Sequence, residues 1–182
     1  MLKRVFVVAL VIALTYLVLP TNLLAQANGF EGTQVCGMCH KTEKQGQQLK
    51  IWQESKHAQA YKTLTTPEAD KIAAEKGFKT KAVETKECLK CHASGYDVDK
   101  ALIGAKFKVE DGVQCETCHG AGSAYKSMAV MKNREEAVKK GLKVYEDNSK
   151  LCVTCHNSES PTYKEFKFDE MWVKIAHKVP KG

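Results

Sequence analysis

Proline, aromatic residues and long apolar runs are all scarce in this chain. Proline occurs 4 times in 182 residues, aromatics make up 8%, and one apolar run stands alone at the N-terminus. A multi-span membrane protein needs several runs of about 20 apolar residues each, which the sequence does not have. Past that run the chain is polar and rich in lysine, and mean hydropathy is -0.36 even with the run included. A large soluble enzyme barrel is excluded on the same ground. So few aliphatic side chains leave a small core, so disulfides, metals or large cofactors are needed to supply buried apolar surface. No low-complexity linker interrupts the rest of the chain, and one domain is expected.

The N-terminal run has the marks of an export leader. Lys3 and Arg4 give a basic start, Val5 to Leu19 form the apolar stretch, Pro20 breaks it, and Ala25-Gln26-Ala27 is an A-x-A cleavage pattern. That stretch is shorter than a bilayer span. Cleavage after Ala27 is expected, so residues 1–27 are read as a signal peptide and 28–182 as the mature domain. Without Lys3 and Arg4 the formal charge falls from +7 to +5. The expected compartment is the periplasm.

All 8 cysteines stand in C-x-x-C pairs, and each pair is followed at once by histidine. The copies are Cys36-Gly37-Met38-Cys39-His40, Cys88-Leu89-Lys90-Cys91-His92, Cys115-Glu116-Thr117-Cys118-His119 and Cys152-Val153-Thr154-Cys155-His156. C-x-x-C-H is the attachment signature of c-type haem. The two thiols add across porphyrin vinyl groups, and the next residue meets the iron as its proximal ligand. Two Cys₄ zinc sites, redox disulfides or iron–sulfur clusters would all use the cysteines. None of them explains four histidines at one fixed position. Four covalently attached haems c are the expected cofactors, with His40, His92, His119 and His156 as proximal ligands.

Porphyrins then supply the missing core, and the expected fold is mainly α, with short helices and loops wrapped around four packed haems. Counting propionates and ferric irons, the holoprotein charge falls to about +1. The lysines therefore give no argument for a nucleic-acid partner. The pattern predicts an uninterrupted helix over 47–65, with Leu49, Trp52, Lys56 and Ala60 along it. A further helix is predicted from Thr65, with Glu68 at capping-box spacing, Pro67 in its first turn and Gly77 at its stop. Residues 96–112 read as loop. Residues 123–140 read as helix, with Tyr125, Met128 and Met131 at helical spacing and Gly141 beyond. Asp169 is expected to cap a last helix holding Trp172, Ile175 and His177.

Four haems have eight axial positions, and only His57 and His177 remain after the motif histidines. Both are expected to bind iron, His57 at the third haem, by reaching along the predicted helix, and His177 at the first, second or fourth. Methionine is also an axial ligand. Met38 sits inside a thioether loop and Met171 reads as packing. Met128 and Met131 could serve, but a methionine stripe at this spacing is more often core filler.

The residues Trp52-x-x-Ser55-x-His57-Ala58-x-Ala60, and Gly112-Val113-Gln114-Cys115-Glu116-x-Cys118-His119-Gly120-x-Gly122, together with the four motifs, resemble the cytochrome c-554 family of periplasmic tetrahaem cytochromes. The resemblance runs from about Cys36 to His177. It implies a mainly helical fold with stacked haem pairs, passing electrons from a periplasmic donor towards a respiratory acceptor, with His57 as a distal ligand. Family members pair three haems with histidines and leave one open, and this chain has one spare histidine too few for that. The leading expectation is an electron carrier with redox-protein partners, not membrane-spanning once cleaved. The alternatives are a reductase of nitric oxide or a related nitrogen compound at an open haem, with Glu116 or Lys90 as proton donors if these are not mere surface residues; a membrane-anchored quinol dehydrogenase; and a protomer of a haem filament whose neighbours supply ligands.

Overall fold

The computed structural model describes residues 27–178. The expected leader and its cleavage pattern fall almost wholly outside that range. Ten α-helices occur among the described residues, none longer than nine residues: α1 Thr33–Gly37, α2 Gln48–Gln53, α3 Ala60–Leu64, α4 Pro67–Glu75, α5 Lys86–His92, α6 Cys115–His119, α7 Met128–Met131, α8 Arg134–Lys139, α9 Asn148–Cys152 and α10 Phe168–Ile175. Short 3-10 turns lie between several of them. No strand forms among the described residues, and Phe30 and Ile103 make a single parallel bridge. The fold is mainly helical, as composition and motifs predicted.

The long helix expected over 47–65 is broken. Gly46 and Gln47 both take left-handed backbone, at φ 95° and 52°, so α2 starts only at Gln48. After Gln53 the chain leaves the helix, and Ser55 turns its hydroxyl back to the Trp52 carbonyl at 2.7 Å. His57 therefore stands in a 3-10 turn, His57–Gln59, ahead of α3. Serine bonding its own backbone competes with the helix ladder, a signal present in the sequence and outweighed there by the apolar spacing. The predicted helix over 123–140 is likewise two short helices, each with its own cap, Ser127 and Asn133. The next start is one residue off: Thr66, not Thr65, caps α4, accepting from the Ala69 amide, with Pro67 at the first position. Gly77 follows it at φ 85°. Asp169 lies in the first turn of α10 and Lys167 precedes it, while His177 lies past its end.

Apolar burial by the polypeptide itself is thin. Leu64, Ala73 and Ala82 form one small cluster, flanked by Ala69, Phe78, Val83, Cys88 and Leu89. It joins α3 and α4 to α5, which carries the second cysteine pair. The Asp70 carboxylate locks this corner by accepting from the Ala82 amide at 2.9 Å.

Elsewhere Ala93, Tyr125 and Ala137 are buried singly, and several of the buried groups are polar. Thr33, Gln114 and Glu116 are all 2% exposed or less. The Gln114 side-chain oxygen accepts from the Thr33 amide and hydroxyl at 3.1 and 3.2 Å, and its nitrogen donates to the Lys108 carbonyl at 2.7 Å. Replacing Leu64 by Ala should cost about 3 kcal/mol. Chemical denaturation followed by circular dichroism would show it as a lower midpoint.

Candidate haem-binding site

Each cysteine pair lies on or beside a short helix: α1, α5, α6 and α9. In such a turn the two thiols project from one side with the histidine directly after them, the arrangement that thioether attachment requires. All eight cysteines are free thiols in the structure.

The four motifs meet in two groups. Cys36 and Cys115 approach within hydrogen-bond reach, and this contact raises the Cys36 thiol and lowers that of Cys115. Cys91 meets Cys155, and burial, followed by Cys155, pushes the Cys91 thiol up to about 11. The first motif therefore lies with the third, and the second with the fourth. Cys118 joins the groups: burial, then the proximity of Cys152, pushes its thiol up to about 11.

The histidines divide in the same way. His57 faces His156 with ring centres 6.0 Å apart, and His177 faces His119 at 5.9 Å. His40 shares the group of His177 and His119, and His92 that of His156. A metal–nitrogen bond to imidazole is about 2 Å and the ring centre lies about 1 Å further back, so two imidazoles on opposite faces of one iron keep their centres about 6 Å apart. Both facing pairs have that spacing. His57 thus lies beside the histidine of the fourth motif, since the break at Ser55 ends the reach along a helix. His177 lies beside the histidine of the third, with His40 also close enough to act on it. The C-terminal segment passes close to residue 46, where the Lys178 carbonyl takes the space that a Cβ on Gly46 would fill.

Protonation suits metal binding. Burial is the first cause lowering His57, His119 and His40, and the neighbouring histidines add to it. The neutral imidazole is the form that ligates a metal. His92 Nδ1–H donates to the Ala60 carbonyl at 2.9 Å, and His177 Nδ1–H to the Ile175 carbonyl at 2.8 Å. Such bonds fix the tautomer and leave Nε2 as the donor atom. Phe166 stacks on the His156 ring at 4.6 Å.

The segments that carried the family resemblance turn out to be one junction. Trp52 Nε1–H donates to the Val113 carbonyl at 2.7 Å, and the Val113 amide donates to the His57 carbonyl at 3.0 Å. The Ser94 amide reaches the Gly112 carbonyl at 2.9 Å, which ties the exit of the second motif to the entry of the third. Gly112 has φ 73°, and a Cβ there would stand 2.6 Å from the His57 carbonyl oxygen. These two sequence stretches are therefore the mount for His57.

A model of the family described as cytochrome c554 and c-prime matches residues 35–120. Cytochrome c-554 of Nitrosomonas europaea is 28% identical over 211 aligned positions, spanning 97% of this chain and 86% of that protein. The chain resembles the cytochrome c-554 family in both comparisons. Both comparisons point to a c-type cytochrome, a class that carries covalently bound haem c and passes electrons between redox partners. The family match includes three of the four motifs and His57, and the longer alignment takes in the rest. No solved structure matches.

Glu116 differs from its sequence reading, while Lys90 does not. Glu116, expected at the surface if not a proton donor, is 2% exposed. Its carboxylate accepts from the amides of Glu31 at 2.9 and 3.0 Å, Gly32 at 2.8 Å and Gly122 at 2.7 Å. Lys90 is paired with Glu159 at the surface. Thr33, buried against Gln114, carried no sequence signal. The Gly112→Ala substitution should cost about 1 kcal/mol from backbone strain alone, and more from the clash with His57. Its expected mark in the haem-loaded protein is disturbance of one low-spin signal in electron paramagnetic resonance, with covalent haem content unchanged.

Proposed function

We propose that this cytochrome is an exported tetrahaem electron carrier: residues 1–27 a cleaved leader, residues 28–182 one domain that works in the periplasm. Haems attach at Cys36/Cys39, Cys88/Cys91, Cys115/Cys118 and Cys152/Cys155, with His40, His92, His119 and His156 as proximal ligands. His177 closes the third haem and His57 the fourth. The observation that carries the reading is the sorting of six histidines into two groups of three, with the spacing of one iron in each facing pair. Electrons would pass between the first and third haems, across the Cys118–Cys152 approach to the fourth, and on to the second.

The residues fit such a role. Bis-histidine irons exchange electrons without binding substrate, and the chain's part is to hold the ring pairs fixed and neutral while donor and acceptor proteins dock outside. The reductase alternative needs a proton donor near an open iron. The two candidates for that task are committed elsewhere, Glu116 to four backbone amide contacts and Lys90 to Glu159. The quinol dehydrogenase would keep the N-terminal apolar run as its anchor, and the A-x-A pattern Ala25-Gln26-Ala27 argues against that. The filament alternative has no observation in its favour.

Intact mass should exceed that of the apoprotein by four haem units and survive acid–acetone extraction; bound zinc without haem would end the reading. Sequencing of periplasmic material should begin at Asn28, whereas full-length protein found only in membranes would favour the anchored dehydrogenase. His57→Ala and His177→Ala should each turn one low-spin haem high-spin with all haems retained. If neither changes any spin state, neither histidine is a ligand.

A further inference from the structure

Glu116 lies inside the third cysteine pair, directly after Cys115. The amides of Glu31 and Gly32, from which its carboxylate accepts, come just before the helix that carries Cys36. Its remaining contact is the Gly122 amide, from the loop that follows His119. A Cβ on Gly122 would stand 3.0 Å from the Glu116 Oε1, so that loop closes tightly over the carboxylate. The group therefore sits where the first and third motifs meet, against the attachment residues of both.

Its charge is balanced differently from that of its neighbours. Backbone amides fill its oxygens, but among the described residues no lysine, arginine or histidine pairs with it. Glu31, by contrast, is neutralised by Lys126, and the two line one cavity with Val35, Met38 and Cys39 of the first motif. In the second group, the charge inside a cysteine pair is that of Lys90, which Glu159 matches at the surface. The first group thus keeps an unmatched, buried negative charge within a cysteine pair.

Both attachment points feel this charge. Contact with Cys115 and then burial raise the Cys36 thiol, and Glu116 adds to them. Contact with Cys36 lowers the Cys115 thiol, and there Glu116 works in the opposite sense. A ferric haem carries one more positive charge than a ferrous one, so a fixed negative charge beside it favours the ferric state and lowers its potential. Away from water this field is screened far less than at the surface.

We propose, on the four-haem reading above, that the unmatched charge of Glu116 lowers the potentials of the first and third haems and so biases electron flow from them towards the fourth and second. The path between the two groups then has a direction, set by a residue that touches no iron.

The test uses the haem-loaded protein, with covalent haem counted by mass and each low-spin signal followed by electron paramagnetic resonance during redox titration. His177→Ala identifies the third haem by the signal it removes, and His57→Ala identifies the fourth. Glu116→Gln keeps the size of the side chain and removes its charge. It should shift the third haem's potential upward and leave the fourth unmoved, with four haems retained. Lys126→Gln, a change at the surface, should shift the third haem downward, because Glu31 is then unmatched as well. Lys90→Gln should leave the third haem where it is. No upward shift in Glu116→Gln would overturn the proposal, as would an equal shift of both low-spin haems. So would a Lys90→Gln variant that moved the third haem as far, because overall charge rather than this position would then be acting. If Glu116→Gln loads no haem, Lys126→Gln decides, and the absence of a downward shift overturns the proposal. Fewer than four haems by mass, or low-spin signals that neither histidine replacement removes, would overturn the reading beneath it instead.

Discussion

The carboxylate of Glu116 joins segments that lie far apart in the sequence. Four contacts from backbone amides converge on it, from residues 31 and 32 on one side and residue 122 on the other. Taken out of water, such a carboxylate is tolerable only when its lone pairs are filled, so the amides and the charge fix one another. Cys115 stands next to it in sequence, and Cys36 follows the amides it binds. The approach of the first and third motifs is therefore set by a polar staple rather than by apolar packing. Gln114 repeats the arrangement with Thr33 and Lys108. In a chain with so little aliphatic surface, directional bonds decide where the cysteine pairs stand.

A second constraint follows from numbers of ligands. In the four-haem reading proposed above, six histidines would not close four irons from both faces, and each group would keep one iron that histidine does not close. The asymmetry is built into chain connectivity. His57 follows the first motif yet faces the histidine of the fourth, and His177 follows the fourth yet faces that of the third. Each spare histidine thus comes from a segment remote from the motif it faces, so the histidine groups are points where distant parts of the chain are joined.

Much of this was legible in the sequence. The four motifs, the helical class, the turn at Gly77 and the importance of the Trp52–His57 and Gly112–Gly122 stretches all follow from residue types and spacing. What escaped were long-range choices made by short-range breaks. Apolar spacing over 47–65 and 123–140 promised long helices, but Gly46-Gln47, Ser55 and the caps at Ser127 and Asn133 divide them. With the helix at Ser55 broken, His57 comes to face His156 instead of reaching along a helix towards the third motif. Glu116 was misread because a glutamate's burial is not marked in its own residue type; two of its three amide partners, on Glu31 and Gly32, lie 85 and 84 residues away.

The start of the described chain is not loose. The Phe30 amide donates to the Leu102 carbonyl and the Gly104 amide to the Phe30 carbonyl, both at 2.7 Å. Asn28 donates to the Lys140 carbonyl, and Gly29 to the Ser123 hydroxyl. The ring of Phe30 meets that of Phe107 edge-on at 5.9 Å. The segment directly after the proposed cleavage bond is thus pinned to three distant parts of the chain. A peptidase needs that bond extended and accessible, so removal of the leader and folding compete for the same residues. Under the proposed cleavage, the leader would have to leave while residues 28–33 are still free, before this segment docks against Glu116.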